Sequence, residues 1–297
     1  MSETEEARRQ RAASAGEEEI AGLLHDPSPD VIRALLENRN LTEEDILIIA
    51  TRKNLPAAIL ESIFKDKRWS ESYPVRLALA RNPKSPLTVS ITIARYLRLF
   101  DLEEITRSHF IPLVFRHKVE AIIVEKIPTM ALGNKKTLAK KASGSVLLAL
   151  LRDPDAEVVQ LCLNNPHLIE AHLFKIISRT DTIAETIRMI AEHPNWSRRS
   201  GVRLSLIRNS LTPLQLTVRF LREAKIMDLR ELYADPALSV TVRPFVHREL
   251  WERGEEAKPV VEDEVFEIDE EEIAEIEAEA KMPEYREDEE DGPENQE

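Results

Sequence analysis

The chain has 297 residues, only 7 glycines, 5% aromatic residues, a single cysteine and a formal net charge of −13. One cysteine excludes an intrachain disulfide and any cysteine-based zinc or iron–sulfur centre, and no apolar run approaches the roughly 18 residues that a membrane-spanning helix requires. The charge is unevenly divided: residues 255–297 carry a net −18, and residues 1–254 a net +5.

Residues 1–19 are polar and lack an apolar run, so no signal peptide is expected there, and the segment is expected to be disordered or a frayed helix. Order is expected from about Glu17, where Ile20, Leu23 and Leu24 fall at helical spacing. A proline-marked start at 27–29 opens a helix through Val31, Leu35 and Leu36, ending near Asn38. Thr42 followed by three acids reads as an N-cap with a favourable first turn, and the helix runs to about Arg52. Asn54-Leu55-Pro56 opens the next. Pro74 starts VRLALAR, which ends at Asn82-Pro83, and Ser85-Pro86 starts LTVSITIARYLRL. The β-branched run 89–93 admits a strand, but its later copy, LQLTVRFLREA, reads as a helix and decides the matter. Asp101-Leu102-Glu103-Glu104 resembles a capping-box start, and Pro112 opens a further helix. Residues 128–146 give a short lysine-rich helical connection.

The stretch from Trp69 to Ile105 recurs from Trp196 onward, at an offset of 127 and without a gap. The match extends over the whole of 20–127 against 147–254. Identical pairs are spread along it, from Asp26/Asp153 and Val31/Val158 through Trp69/Trp196 to Val119/Val246 and Glu125/Glu252. Shorter motifs recur inside each copy. Asp-Pro-x-x-x-Val occurs at Asp26, Asp153 and Asp235, and helix ends in asparagine occur at Asn38, Asn82, Asn165 and Asn209. The expected organisation is a helical repeat unit at 20–127, a basic helical connection at 128–146, a second unit at 147–254 and an acidic disordered tail at 255–297. The Asp-Pro-x-x-x-Val motifs, with VRLALARNPKSP and its copy VRLSLIRNSLTP, resemble HEAT-like repeats and the related leucine-rich-repeat variant. That resemblance implies an all-α fold, an α-solenoid of stacked helical hairpins, here built by tandem duplication. It departs from the iron–sulfur-bearing variant proteins in lacking their cysteine cluster.

No Gly-rich phosphate loop, His-Glu-x-x-His or Cys-x-x-Cys motif is present. The sequence therefore nominates no catalytic, metal-binding or cofactor-binding residue, and the chain is not expected to be an enzyme. Cys162 reads as a small buried apolar residue. The arginines shared by both copies stand out, because a guanidinium forks to carboxylate or phosphate: Arg52/Arg179, Arg76/Arg203, Arg81/Arg208, Arg95/Arg222 and Arg116/Arg243. Internal pairing is one reading of them, with Arg95 reaching Asp101 or Glu104. The other makes Arg52, Arg76, Arg81, Arg95, Arg179, Arg203, Arg208 and Arg222, with Trp69 and Trp196, candidate partner-binding residues. The two tryptophans equally suit packing at a repeat junction.

The expected function is a cytoplasmic, non-catalytic scaffold or adaptor that binds a protein partner on its repeat surface. The acidic tail would serve as a linear motif or an intramolecular competitor. The alternative is nucleic-acid binding through the arginine face, and more remotely a DNA glycosylase-like enzyme.

Overall fold

The computed structural model describes residues 4–255. Among these, every regular element is helical: eighteen α-helices, one 3-10 turn at Ile127–Thr129 and no strand. None of the helices is long and apolar enough to cross a membrane. The expected acidic tail, apart from Glu255, lies outside the described residues.

The described chain forms two compact units, divided between Leu168 and Ile169. This partition rests on contact, whereas the match of 20–127 to 147–254 is one of sequence alone. The first unit holds α1 (Glu5–Ser14), α2 (Glu17–Leu23), α3 (Pro29–Leu36), α4 (Glu43–Thr51), α5 (Ala57–Lys65) and α6 (Tyr73–Arg81). It continues with α7 (Leu87–Ala94), α8 (Leu99–Arg107), α9 (Leu113–Lys126), α10 (Leu132–Ala139), α11 (Gly144–Leu150) and α12 (Ala156–Leu163). The second unit holds α13 (Glu170–Ile177), α14 (Ala184–Glu192), α15 (Ser200–Arg208), α16 (Leu214–Glu223), α17 (Ile226–Ala234) and α18 (Arg243–Glu252).

All but α9 are short, too short to be stable alone in water. Burial of an apolar stripe holds them. In α3 it is Val31, Ile32, Leu35 and Leu36, and in α14 Ile187, Ile190 and Ala191. Besides packing on its chain neighbour, a helix packs on the next but one. In the first unit α4 meets α6, α7 meets α9 and α10 meets α12; in the second α13 meets α15 and α16 meets α18. The β-branched run at 89–93 is helical, because Val89, Ser90, Ile93 and Ala94 bury one face of α7 and override its strand propensity.

The segment 5–14, expected to be disordered or frayed, forms α1 instead. Ala12 is buried, α1 packs on α3, and Arg8 Nε reaches Asp26 at 2.7 Å. The capping box expected at Asp101 is also absent. Helix α8 begins at Leu99, and the Tyr73 hydroxyl accepts from Arg98 N at 3.0 Å while donating to Asp101.

Short helices mean many helix ends, and each α-helix leaves its last carbonyls without an intrahelical partner. Asparagine side chains meet this need by reaching back to an earlier helix end. Asn38 Nδ2 donates to Ala12 O and Ala15 O (2.9 and 3.0 Å), while Oδ1 accepts from Asn40 N (2.8 Å). Its counterpart in the copy, Asn165, donates to Ala139 O and Ala142 O (2.7 and 3.1 Å) and accepts from His167 N (2.7 Å). Asn82 clamps Ala50 O and Arg52 O (2.7 and 2.9 Å), and its counterpart Asn209 donates to Ile177 O. Asn82 Oδ1 accepts from Lys84 N and Asn209 Oδ1 from Leu211 N.

Replacing Asn38 by alanine leaves buried carbonyls unpaired and should cost roughly 1–3 kcal/mol. Asn38→Asp should cost more, since a carboxylate then faces two carbonyl oxygens. Urea unfolding gives the ranking, and an aspartate variant as stable as the alanine one would show that the Nδ2 donors do not matter.

Candidate functional site: the repeated arginines

At three turns that follow a helix the side chain is aspartate, and an arginine or lysine joins the clamp. Asp26 Oδ1 accepts from Ser28 N at 2.8 Å, with Arg8 on Oδ2. Asp153 accepts from Asp155 N at 3.1 Å and from Lys135 Nζ at 2.8 Å. Asp235 accepts from Ala237 N and Arg208 Nε, both at 2.9 Å, and these two donors hold its carboxyl below the usual aspartate range. Buried His193 takes the same place after α14. Its Nδ1 accepts from Asn195 N and Trp196 N at 3.3 and 3.4 Å, and burial pushes the imidazole below its ordinary pKa.

The candidate arginines divide by what they touch. Arg52 turns inward, donating to Leu24 O at 2.5 Å and Asp26 O at 2.7 Å. Arg179, its counterpart, instead pairs with Asp181 (Nε–Oδ1 2.8 Å, Nη2–Oδ2 3.0 Å). Arg76 donates from Nε to Ser70 O at 2.6 Å and lies 5.4 Å from the Tyr96 ring centroid. Arg203 forms an ion pair with Glu223, the residue that takes the place of Tyr96 in the copy. Arg81 pairs with Glu104 at 2.5 Å and Asp101 at 3.3 Å, and Arg208 with Glu231 at 2.7 Å as well as Asp235.

Arg95 is exposed. The expected partners Asp101 and Glu104 are taken by Arg81, and no partner of its guanidinium is found among the described residues. Arg222 is half-buried, and its carbonyl accepts from Arg253 at 2.8 Å. Of the remaining repeated pair, Arg243 donates to Asp235 O at 2.9 Å, while the Nε atoms of Arg116 and Arg243 are both buried without a hydrogen bond. Both tryptophans are half-buried at the turn before a helix. The Arg68 guanidinium lies 5.3 Å from the Trp69 ring centroid, and the His193 and Trp196 centroids are 6.4 Å apart. Cys162 is buried, and its thiol is pushed up to about 12, mainly by desolvation and further by Asp153.

Two of the candidates converge. In the second unit a cleft of about 440 Å³ is lined by Arg179 and Arg208, the hydroxyl residues Ser178, Thr180, Ser205 and Ser210, and apolar Ile177 and Leu211. It opens where α13 and α15 end, across the Asn209 clamp. Two arginines outside the candidate set, Arg68 and Arg253, also close helix ends. Arg68 donates to Asn38 O and Leu36 O (2.9 and 2.5 Å), and Arg253 to Ala224 O, Arg222 O and Leu221 O (2.6, 2.8 and 3.2 Å). Neither recurs as arginine at an offset of 127, so the repeat gave no signal for them.

Comparison of the chain with protein-family models, with curated proteins and with solved structures finds no match in any of the three.

The lowered pKa of His193 carries a sign. The folded state binds the proton less readily than the unfolded chain, so this contribution to stability is intact above about pH 6.5 and declines as the pH falls through the folded-state value. His193→Asn keeps an acceptor for Asn195 N without a titrating group. The urea midpoint of the wild type should therefore fall more steeply than that of the variant between about pH 7 and pH 5. Parallel profiles would remove His193 from the account.

Proposed function

We propose that the chain is a non-catalytic helical-repeat scaffold, an α-solenoid derived by tandem duplication, that binds an acidic, extended segment of a partner protein. The observation that carries this reading is the cleft in the second unit, where two guanidinium groups, four hydroxyl residues and a partly exposed Leu211 adjoin. Support for the repeat architecture comes from the Asn38/Asn165 and Asn82/Asn209 clamps, which join corresponding helix ends in the two copies.

The chemistry of the cleft favours carboxylate over phosphate. Arg208 and Arg179 are each already held by carboxylates, so their geometry suits that group. Glu231, on Arg208, has a largely exposed side chain. Such surface pairs are worth about 0–1 kcal/mol, and an incoming carboxylate replaces Glu231 at little cost. The serine and threonine hydroxyls supply donors and acceptors for a peptide backbone, and Leu211 supplies an apolar contact.

Fluorescence polarisation with a short peptide alternating glutamate and leucine tests this. Arg208→Ala should weaken binding about tenfold, as expected for loss of one charge-assisted pair. Arg81→Ala, at the equivalent position of the first unit, should change it little. Equal affinity of the wild type and Arg208→Ala for the peptide would refute the assignment. Tighter binding of a single-stranded oligonucleotide, with a steep salt dependence, would favour the nucleic-acid reading instead.

A further inference from the structure

Helices α6 and α7 of the first unit pack on each other, and two guanidinium–ring stacks adjoin where α6 begins and the chain leaves α7. The Arg76 guanidinium lies 5.4 Å from the Tyr96 ring centroid, and that of Arg98 lies 4.7 Å from the Tyr73 centroid. Tyr73 and Arg76 stand three residues apart on α6, so they share a face of that helix. The cluster is held from within the protein. Arg76 Nε donates to Ser70 O at 2.6 Å, and the Tyr73 hydroxyl accepts from Arg98 N at 3.0 Å while donating to Asp101.

The outer side of this cluster is in water. Tyr96 is 66% exposed and Phe100 44%, and both Arg95 and Arg98 are exposed. On the adjoining α8, Asp101 and Glu104 are engaged by Arg81. No carboxylate partner of Arg76, Arg95 or Arg98 is found among the described residues. The second unit keeps the helices and loses the cluster. Helices α15 and α16 pack as α6 and α7 do, but Ser200, Glu223 and Met227 replace Tyr73, Tyr96 and Phe100. Glu223 also takes the Arg203 guanidinium in an ion pair. Packing of the hairpin therefore does not require the rings, and the exposed charge with its rings belongs to the first unit.

We propose that this face binds single-stranded nucleic acid, with a base stacked on the Tyr96 ring and the neighbouring phosphates on Arg95 and Arg98. An exposed ring offers a flat π-face that any base covers, and a guanidinium forks to phosphate. Arg95, Tyr96, Arg98 and Phe100 alternate cation and ring along one short stretch, and an unpaired strand alternates phosphate and base. An acidic peptide would meet the arginines but leave Tyr96 and Phe100 in water. A duplex, whose bases are already stacked on one another, has no use for the rings.

Fluorescence polarisation of a short labelled oligothymidylate with the full chain tests this. Tyr96→Ala should weaken binding about tenfold, the size of one lost base stack, and Tyr96→Phe should bind as the wild type does. Arg95→Ala/Arg98→Ala should also weaken binding. It should lower the slope of log affinity against log salt by about 1.4, as for two phosphate contacts on a single strand. Lys225→Ala, at the place of Arg98 in the copy, should change nothing. Equal affinity of the wild type and Tyr96→Ala overturns the proposal, and so does a duplex that binds as tightly as the single strand. Displacement of the oligonucleotide from the Arg208→Ala variant by the glutamate–leucine peptide overturns it too, by assigning the face to an acidic protein segment. The proposal does not rest on the arginine cleft. With Tyr96, Arg95 and Arg98 all replaced by alanine, the choice of the cleft between peptide and oligonucleotide is read without this face, so the two readings fail separately.

Discussion

The constraint on which this fold depends is the fate of helix-end carbonyls. A chain cut into short helices, with α9 the longest, exposes carbonyl ends at short intervals. Many proteins end a helix on a glycine in the left-handed region. Here, of the glycines among the described residues, only Gly144 and Gly254 have positive φ, and Gly144 stands at a helix start. The chain instead leaves α4, α5, α6, α14, α15 and α17 on an extended residue. At several of these ends a side chain accepts the N–H two residues on. Carbonyls thereby left over are met by asparagine or arginine from the end of a later helix. A chain of 297 residues thus manages with 7 glycines, and its helices are tied together through polar groups as well as through the core.

The same constraint bears on the arginines. Their repetition in both copies looked like the mark of a shared binding face, yet members of a pair do different work. Arg52 closes a helix end, whereas Arg179 pairs with Asp181 beside a cleft. Arg76 lies over Tyr96, whereas Arg203 pairs with the glutamate that replaces it. Arg81 and Arg208 do keep a like partner, Glu104 and Glu231. A guanidinium with five donors and a long stem satisfies whichever acceptor its surroundings offer, so identity at a repeated position preserves the capacity and not the contact.

Much of the helical organisation was legible because its signals are local. Proline placement, Ser and Thr caps and the helical period of apolar residues located most helices, and the internal copy resolved the one ambiguous run at 89–93. What failed was also local reasoning. The segment 5–14 carries few bulky apolar groups, yet it is helical because Ala12 fits against the body and Arg8 meets Asp26, a partner beyond α2. The start of α8 is set by the Tyr73 hydroxyl rather than by Asp101 acting on its own helix. The asparagines were visible as helix ends, but not as clamps, since their acceptors lie at earlier helix ends.

By itself, then, the sequence determined the helical class, the approximate punctuation of the helices and the register of the internal copy, because caps, periodicity and self-similarity are carried by neighbouring residues or by fixed spacing. The tertiary structure decided which arginines turn inward, which of them meet at a cleft, and that Trp251 stands exposed where Val124 is half-covered. Those outcomes depend on which acceptors and which apolar surfaces distant segments bring to a side chain. No pattern within a single helix encodes that.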